Sequence, residues 1–338
     1  MNRLPGILLL IAVNLSSLAQ DDGASLQSSA KSYMRQGDFS NAVMVLNRAL
    51  KQSPNNLSIL EDLAFSYYLQ KNYSMALETA KPLIERKDAD EQAYQILGLV
   101  YNALEERKDC EKMYKQGLKR FPNSGVLYNE YGEMLWTRQD AEAIRQWEKG
   151  IEVDPNYSSN YYNASKFYYF TYDKVWSLIY GEIFVNLESY SRRTPEIKNI
   201  LVEGYKKLFS EQSITKNQNV KNPFVLAYLT VVNDQSVTIS QGITAESLSA
   251  LRSKFLLEWF DKYAVKFPFR LFDYQRQLLK EGMFDAYNQW IFGAAQNLVI
   301  FQNWTSSHQD EYDRFINFQK GRVYKSPQGQ YYHMLAVK

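Results

Sequence analysis

Few side chains in this 338-residue sequence are arranged for acid–base, nucleophilic or metal chemistry. It has two histidines, His308 and His333, and one cysteine, Cys110. Neither histidine lies in a Glu-x-x-His pair or has a cysteine near it, so no zinc-ligand spacing is present. There is no Gly-x-Ser-x-Gly turn to expose a serine, and no Gly-rich loop to wrap a phosphate. A Ser–His–Asp grouping formed only in space would leave no trace in the spacing, and that alternative stays open. One carboxylate stands out. Glu246, followed by Ser247, falls in the first turn of a helix that Thr244 would begin. The helix dipole favours an acid there, so capping explains Glu246 better than catalysis. No metal and no cofactor is expected, and the chain reads as a non-enzyme.

The remaining residues suit recognition. Aromatic residues make up 15% of the chain and crowd between Tyr157 and Phe184. There they would form either a packed seam or a platform for sugar or peptide, and the area that aromatics bury favours the seam. Residues 1–19 read as a leader: a basic start at Arg3, an apolar run from Ile7 to Val13, and small residues at Ser17 and Ala19. Cleavage is expected before Gln20, because the run is too short to span a bilayer comfortably. Loss of Arg3 leaves 38 Lys+Arg against 37 Asp+Glu, so the mature chain has no basic footprint for nucleic acid. The mature product is expected to be exported, periplasmic or secreted, without stable membrane insertion. A single cysteine excludes an internal disulfide, and Cys110 occupies a small-residue position, as buried alanine would. Sequons at Asn56, Asn156 and Asn303 carry weight only if the source glycosylates exported proteins.

The elements that must position these groups announce themselves by repetition. Ala30, Ala64, Gly98 and Gly132 follow at intervals of 34, as do Tyr33, Tyr67, Tyr101 and Leu135, and Leu26, Leu60, Tyr94 and Tyr128. A second series, Ala42, Ala76 and Cys110, keeps the step, and Ala143 arrives one residue early. Pro54 and Pro122 lie two periods apart, with Pro155 33 residues later. Such a period at several columns signals a stacked repeat of helical pairs, with small residues for close approach and proline at the turns. The columns resemble those of the tetratricopeptide repeat, in an exported bacterial type of protein.

That resemblance implies an all-α superhelix of helical hairpins with a concave face built from the first helix of each pair. Carried over by register, the face offers Gln27, Lys31, Met34 and Arg35, then Glu61, Phe65, Tyr68 and Leu69, then Gln92, Gln95, Leu99 and Asn102. Asn129, Glu133 and Trp136 follow, then Tyr162, Lys166, Tyr169 and Phe170. The family's paired Lys, Asn and Arg clamp for a peptide carboxylate is not reproduced, because its asparagine column reads Lys31, Phe65, Leu99 and Glu133. An aromatic groove with scattered amides suits an extended or helical peptide, unless the chain's own C-terminal half or N-terminal arm fills it.

Four repeats are assigned to residues 20–157, and a degenerate fifth with the aromatic junction to 158–190. An irregular helical C-terminal domain takes 191–338. Pro82 should kink or shorten the second helix of repeat two, and repeat four has lost a residue near Gln139. The period is read as ending after Ser191, with helices near 195–210, 245–263, 270–281, 284–302 and 309–320. Phe224 to Val232 is either helix or buried strand, and Val323 to Leu335 is expected to form a short hairpin around Pro327-Gln328-Gly329. The Glu246-Ser247 pair also resembles that of lytic transglycosylases, but their downstream Gly-Leu-Met-Gln region is absent. The resulting expectation is a protein–protein interaction scaffold or adaptor. A carbohydrate or peptidoglycan module built on the aromatic junction is the alternative, and self-association is a further outcome.

Overall fold

A computed structural model describes the backbone of residues 12–334 and the side chains of residues 23–334. The expected leader therefore lies largely outside the described residues. No strand occurs among those described, and no helix there is long and apolar enough to cross a membrane. The chain divides into two compact units, one up to Pro122 and one from Asn123 onward.

The first unit holds α1 (Ala12–Arg35), α2 (Phe39–Gln52), α3 (Leu57–Leu69), α4 (Tyr73–Ala80), α5 (Glu91–Ala103) and α6 (Arg107–Arg120). They pair as three antiparallel hairpins, with α2 against α3 and α4 against α5, so each hairpin covers the apolar face of the next. The helices start where short polar side chains take up otherwise unpaired amides. Asn56, Asp90 and Ser124 each cap a first helix of a hairpin, and Asp38 and Asn72 cap second helices. Helix α4 stops at Ala80, and a 3-10 turn from Lys81 to Glu85 follows. Pro82 has no amide to continue the α-helical pattern, so the expected shortening is found.

Backbone conformation shows the repeat more sharply than the side-chain columns do. The turn between the two helices of each hairpin contains one left-handed residue, at Gly37, Lys71, Glu105, Gln139 and Asp173, each 34 after the last. Four of these five are not glycine, so a tight turn is enforced where an L-residue is strained. Gln139 keeps step, which places the residue missing from repeat four just after it. There Asp140–Glu142 replaces the first turn of the following helix.

The second unit begins with α7 (Gly125–Thr137), α8 (Ala143–Val153), α9 (Ser158–Phe170), α10 (Lys174–Leu187) and α11 (Thr194–Ser210). It continues with α12 (Pro223–Asp234), α13 (Ala245–Lys262), α14 (Arg270–Lys280), α15 (Phe284–Asn288), α16 (Ala294–Gln296), α17 (Leu298–Ser307) and α18 (Gln309–Lys320). Helix α10 is buried on every side from Val175 to Asn186, which makes it the centre of this unit. Residues 224–232 are helical, and Thr244 caps α13 in a reciprocal box with Ser247. The single helix expected over 284–302 is interrupted. A π-turn over Gln289–Gly293 separates α15 from α16, and extended Asn297 ends α16 and caps α17.

Small residues let the paired helices meet. A Cβ on Gly98 would lie 2.0 Å from the Tyr114 hydroxyl, and one on Gly132 would lie 2.4 Å from Trp147 Nε1. The small residue of one helix thus receives a large ring from its partner. In the fifth hairpin Gly181 faces Ser165, and Ser165 and Ser177 exchange hydrogen bonds with each other's carbonyls at 2.8 and 3.0 Å.

The expected C-terminal hairpin does not form. Residues 323–334 lie extended on the second unit, and side-chain amides satisfy their backbone instead of a partner strand. Asn156 both donates to the Ser326 carbonyl and accepts from its amide, at 3.1 and 2.9 Å. Asn222 donates to the carbonyls of Tyr332 and His333, and the Tyr332 ring stacks on Phe224 with centroids 4.8 Å apart.

Gly132→Ala should therefore lower the unfolding free energy by about 1–3 kcal/mol, the usual cost of overpacking a filled core. The same change made on top of Trp147→Leu should cost less, and chemical denaturation of the four proteins of that cycle measures the coupling.

Candidate functional site

The first helices of successive hairpins lie side by side within each unit: α1, α3 and α5 in the first, α7, α9 and α11 in the second. Each row presents residues of the expected concave face.

In the first unit, Lys31 and Arg35 are exposed, and Lys31 reaches across to Asp62 at 3.3 Å. Gln27 donates to the same carboxylate at 2.6 Å and to Ser58 at 2.9 Å. Phe65 and Tyr68 are half-buried and stacked, with centroids 6.0 Å apart, and Tyr68 also meets Tyr73. Gln95 is half-buried and Asn102 exposed. Glu61 departs from expectation: it is 2% exposed and does not open into the groove. Burial, a hydrogen bond with Asp90 and the charges of Asp62 and Asp88 push its pKa up to about 8. The Glu61 carboxyl on α3, with its raised pKa, thus faces Asp90, which caps α5.

The second row is more densely bonded. Asn129, also buried, donates to Glu133 at 3.0 Å, and Asn163 on the next helix donates to both, at 2.9 Å each. Trp147 Nε1 donates to the Asn129 carbonyl, so the residue that locks the hairpin also ties down this ladder. Trp136 is 42% exposed and meets Phe167 edge-on at 5.5 Å. Tyr162 lies between two cations, Lys166 at 4.7 Å and Arg193 at 4.8 Å from its ring centre. Its hydroxyl bonds Glu196, which also pairs with Lys166 at 2.7 Å. Burial would lower the Lys166 ammonium, but Glu196 and Tyr162 hold it above its ordinary value. Lys207 covers the Tyr169 ring at 3.7 Å, and Phe170 beyond it is 66% exposed.

A period that ends at Ser191 leaves out Arg193, Glu196 and Lys207, and carrying the face over by register alone passes by Asn163, which lies inside the fifth repeat. Yet Glu196 lies 34 residues after Tyr162, Asn163 34 after Asn129, and Arg193 34 after Ser159, each bonded to that partner. Helix α11 is thus a further member of the row. Its polar and charged contacts keep the step although the small and aromatic columns have lapsed.

The aromatic junction is chiefly interior. Tyr161, Tyr168, Trp176, Tyr180 and Phe184 are buried, while Phe170 and Tyr172 remain open. Glu246 is exposed and accepts from Gln289 in the first turn of the capped helix α13.

Comparison with known proteins bears on the first of these rows. Residues 33–100 match the family model described as tetratricopeptide repeat. No curated protein matches the chain significantly. Among solved structures, a thermophilic tetratricopeptide-repeat protein of Thermus thermophilus aligns at 16% identity, over 55% of this chain and 99% of that one, with TM-score 0.43. A tetratricopeptide-repeat protein from Parabacteroides merdae aligns at 13% identity, over 88% of this chain and all of that one, with TM-score 0.38. MamA (residues 41 to the end) from Desulfovibrio magneticus RS-1 aligns at 13% identity, over 57% of this chain and 98% of that one, with TM-score 0.37. The fold is all-helical, with hairpins of the tetratricopeptide kind.

The state of Glu61 predicts a pH dependence. Its folded pKa, about 8, lies above the ordinary 4.5, so its favourable contribution is complete at low pH and is lost as pH rises from the lower value to the higher. The urea midpoint of the native chain should fall across that window, and that of Glu61→Gln should fall less. Equal slopes would remove the neutral acid from α3.

Proposed function

We propose that the chain is a non-catalytic scaffold or adaptor whose rows of first helices bind an apolar-anchored segment of a partner protein. One observation carries the reading. Trp136 and Phe170 stand open on the second row, which also carries the mutually hydrogen-bonded side chains of Asn129, Asn163 and Glu133. Rings beside fixed amides suit an extended or helical peptide, since aromatic anchors carry most of such binding energy. The match of residues 33–100 to a repeat family supports a recognition role for the first unit.

The surface is weakly suited to the carbohydrate alternative, because most of the junction rings serve as core. We assign the protein to an exported compartment on the strength of its leader-like start.

The test is a selection of displayed peptides on the purified mature chain. Selected peptides should carry bulky apolar residues, and Trp136→Ala should weaken them by about tenfold or more, the loss of a hot-spot ring, without changing the circular dichroism. Tyr68→Ala reads the first unit in the same way. Binding indifferent to both variants removes the rows from recognition, and light scattering reports self-association. Intact mass of the exported product should show a chain starting at Gln20.

A further inference from the structure

A second cleft in the Asn123–Lys338 unit lies between the start of α11 and the π-turn after α15. Its volume is about 510 Å³, with Trp290, Tyr190, Pro195 and Ala295 among its walls, polar Ser189, Ser191, Thr194 and Asn199 at its edge, and Lys198 at its side. The Lys198 amine donates to the Trp290 carbonyl at 2.7 Å and sits 3.7 Å from the centre of the same indole. Tyr190, 59% exposed, meets Trp290 edge-on with centroids 6.5 Å apart.

Three features make this more than a lysine resting on a ring. First, the π-turn over Gln289–Gly293 breaks the regular helical hydrogen bonding, and within it the Trp290 carbonyl takes an outside donor. Second, the amine is half-buried, and no acidic side chain compensates it. Burial lowers its pKa to about 7, and burial is the whole cause. Of the residues lining the cleft, Tyr190 is the other one that titrates, and no charge perturbs it. Arg193, just before that helix, turns away to Glu188 at 3.0 Å, and the π-turn and α16 contribute Trp290, Ala294 and Ala295, which carry no charge. Third, the carbonyl and ring take one face of the ammonium, which has three donors.

We propose that this cleft binds a carboxylate carried on an aromatic or branched apolar group, with Lys198 as its counter-ion and Trp290 and Tyr190 as walls for the apolar body. The ligand supplies the charge the site lacks, while the walls reject hydrophilic acids such as acetate. Two sources share this chemistry: the free C-terminus of a peptide ending in a large apolar residue, and a small aryl acid. The site goes beyond the concave-row reading, and neither depends on the other.

The experiment is calorimetry on the full mature chain with two acids, N-acetylglycyl-phenylalanine and 3-phenylpropionate, and the amide of each. Both acids should bind at pH 6.5, and the amides at least tenfold more weakly. The tighter acid tells peptide terminus from small molecule. Binding the anion requires the ammonium, so affinity should drop about tenfold per pH unit above the free amine's pKa, until the bound amine also titrates. Lys198→Met, close in volume, should abolish the difference between acid and amide. A measurement without mutation accompanies it: the carbon-13 resonance of reductively methylated Lys198 should titrate near pH 7 in the free protein and higher with either acid. Equal binding of acid and amide, a flat pH profile, an unmoved resonance, or no binding of either acid at millimolar concentration would overturn the proposal.

Discussion

The closeness of the two helices within each hairpin is the constraint from which the rest follows. At Gly98 and Gly132 the partner's ring occupies the space a side chain would take. Dispersion contacts of that density exist only while the two helices keep the separation that the ring spans. The left-handed residue at each inter-helix turn holds the same separation from the other end, and it recurs every 34 residues even where the side chain is Lys, Glu, Gln or Asp. Strain at the turn is accepted because packing along the hairpin over-determines it.

From that separation comes the row of first helices, and from the row comes the site. Trp147 shows the coupling: its indole fills the space over Gly132 while its N–H fixes the Asn129 carbonyl. A residue that looks purely structural thus sets the position of the amide ladder. Equivalent polar groups on α7, α9 and α11 lie one period apart and bond each other, so the ladder is a product of stacking and belongs to no single helix.

The second unit adds a polar interior that hairpin stacking does not require. Glu182, on the fully buried α10, receives Arg252, Gln275 and Tyr287 from three other helices, and Asn288 also holds Arg252. Such a pair is worth little against an apolar core when intact, and costs much if one partner is lost. It therefore favours one arrangement of α10, α13, α14 and α15 over others of similar hydrophobic content. The extended C-terminal segment closes this unit, with His333 against Glu148 at 2.7 Å and Tyr332 inside the cage of Phe224, Phe267 and Phe269.

Much of this was legible from the residues alone, because a column of side-chain sizes is a local statement repeated. Ala30 to Gly132, the prolines and the shortening at Pro82 need only helix geometry and the rule that proline has no amide. Tertiary structure decided the rest. Whether Glu61 and Asn129 open to the groove or lie buried depends on the neighbouring helix. That α11 joins the row depends on contacts 34 residues away, made by polar side chains that carry no size signature. The tail of residues 323–334 has the look of a hairpin, but its hydrogen-bonding groups found Asn156 and Asn222 from distant parts of the unit. Local pattern determines which helices form and which faces they bury; which polar groups meet is settled only by the packing that removes water from them.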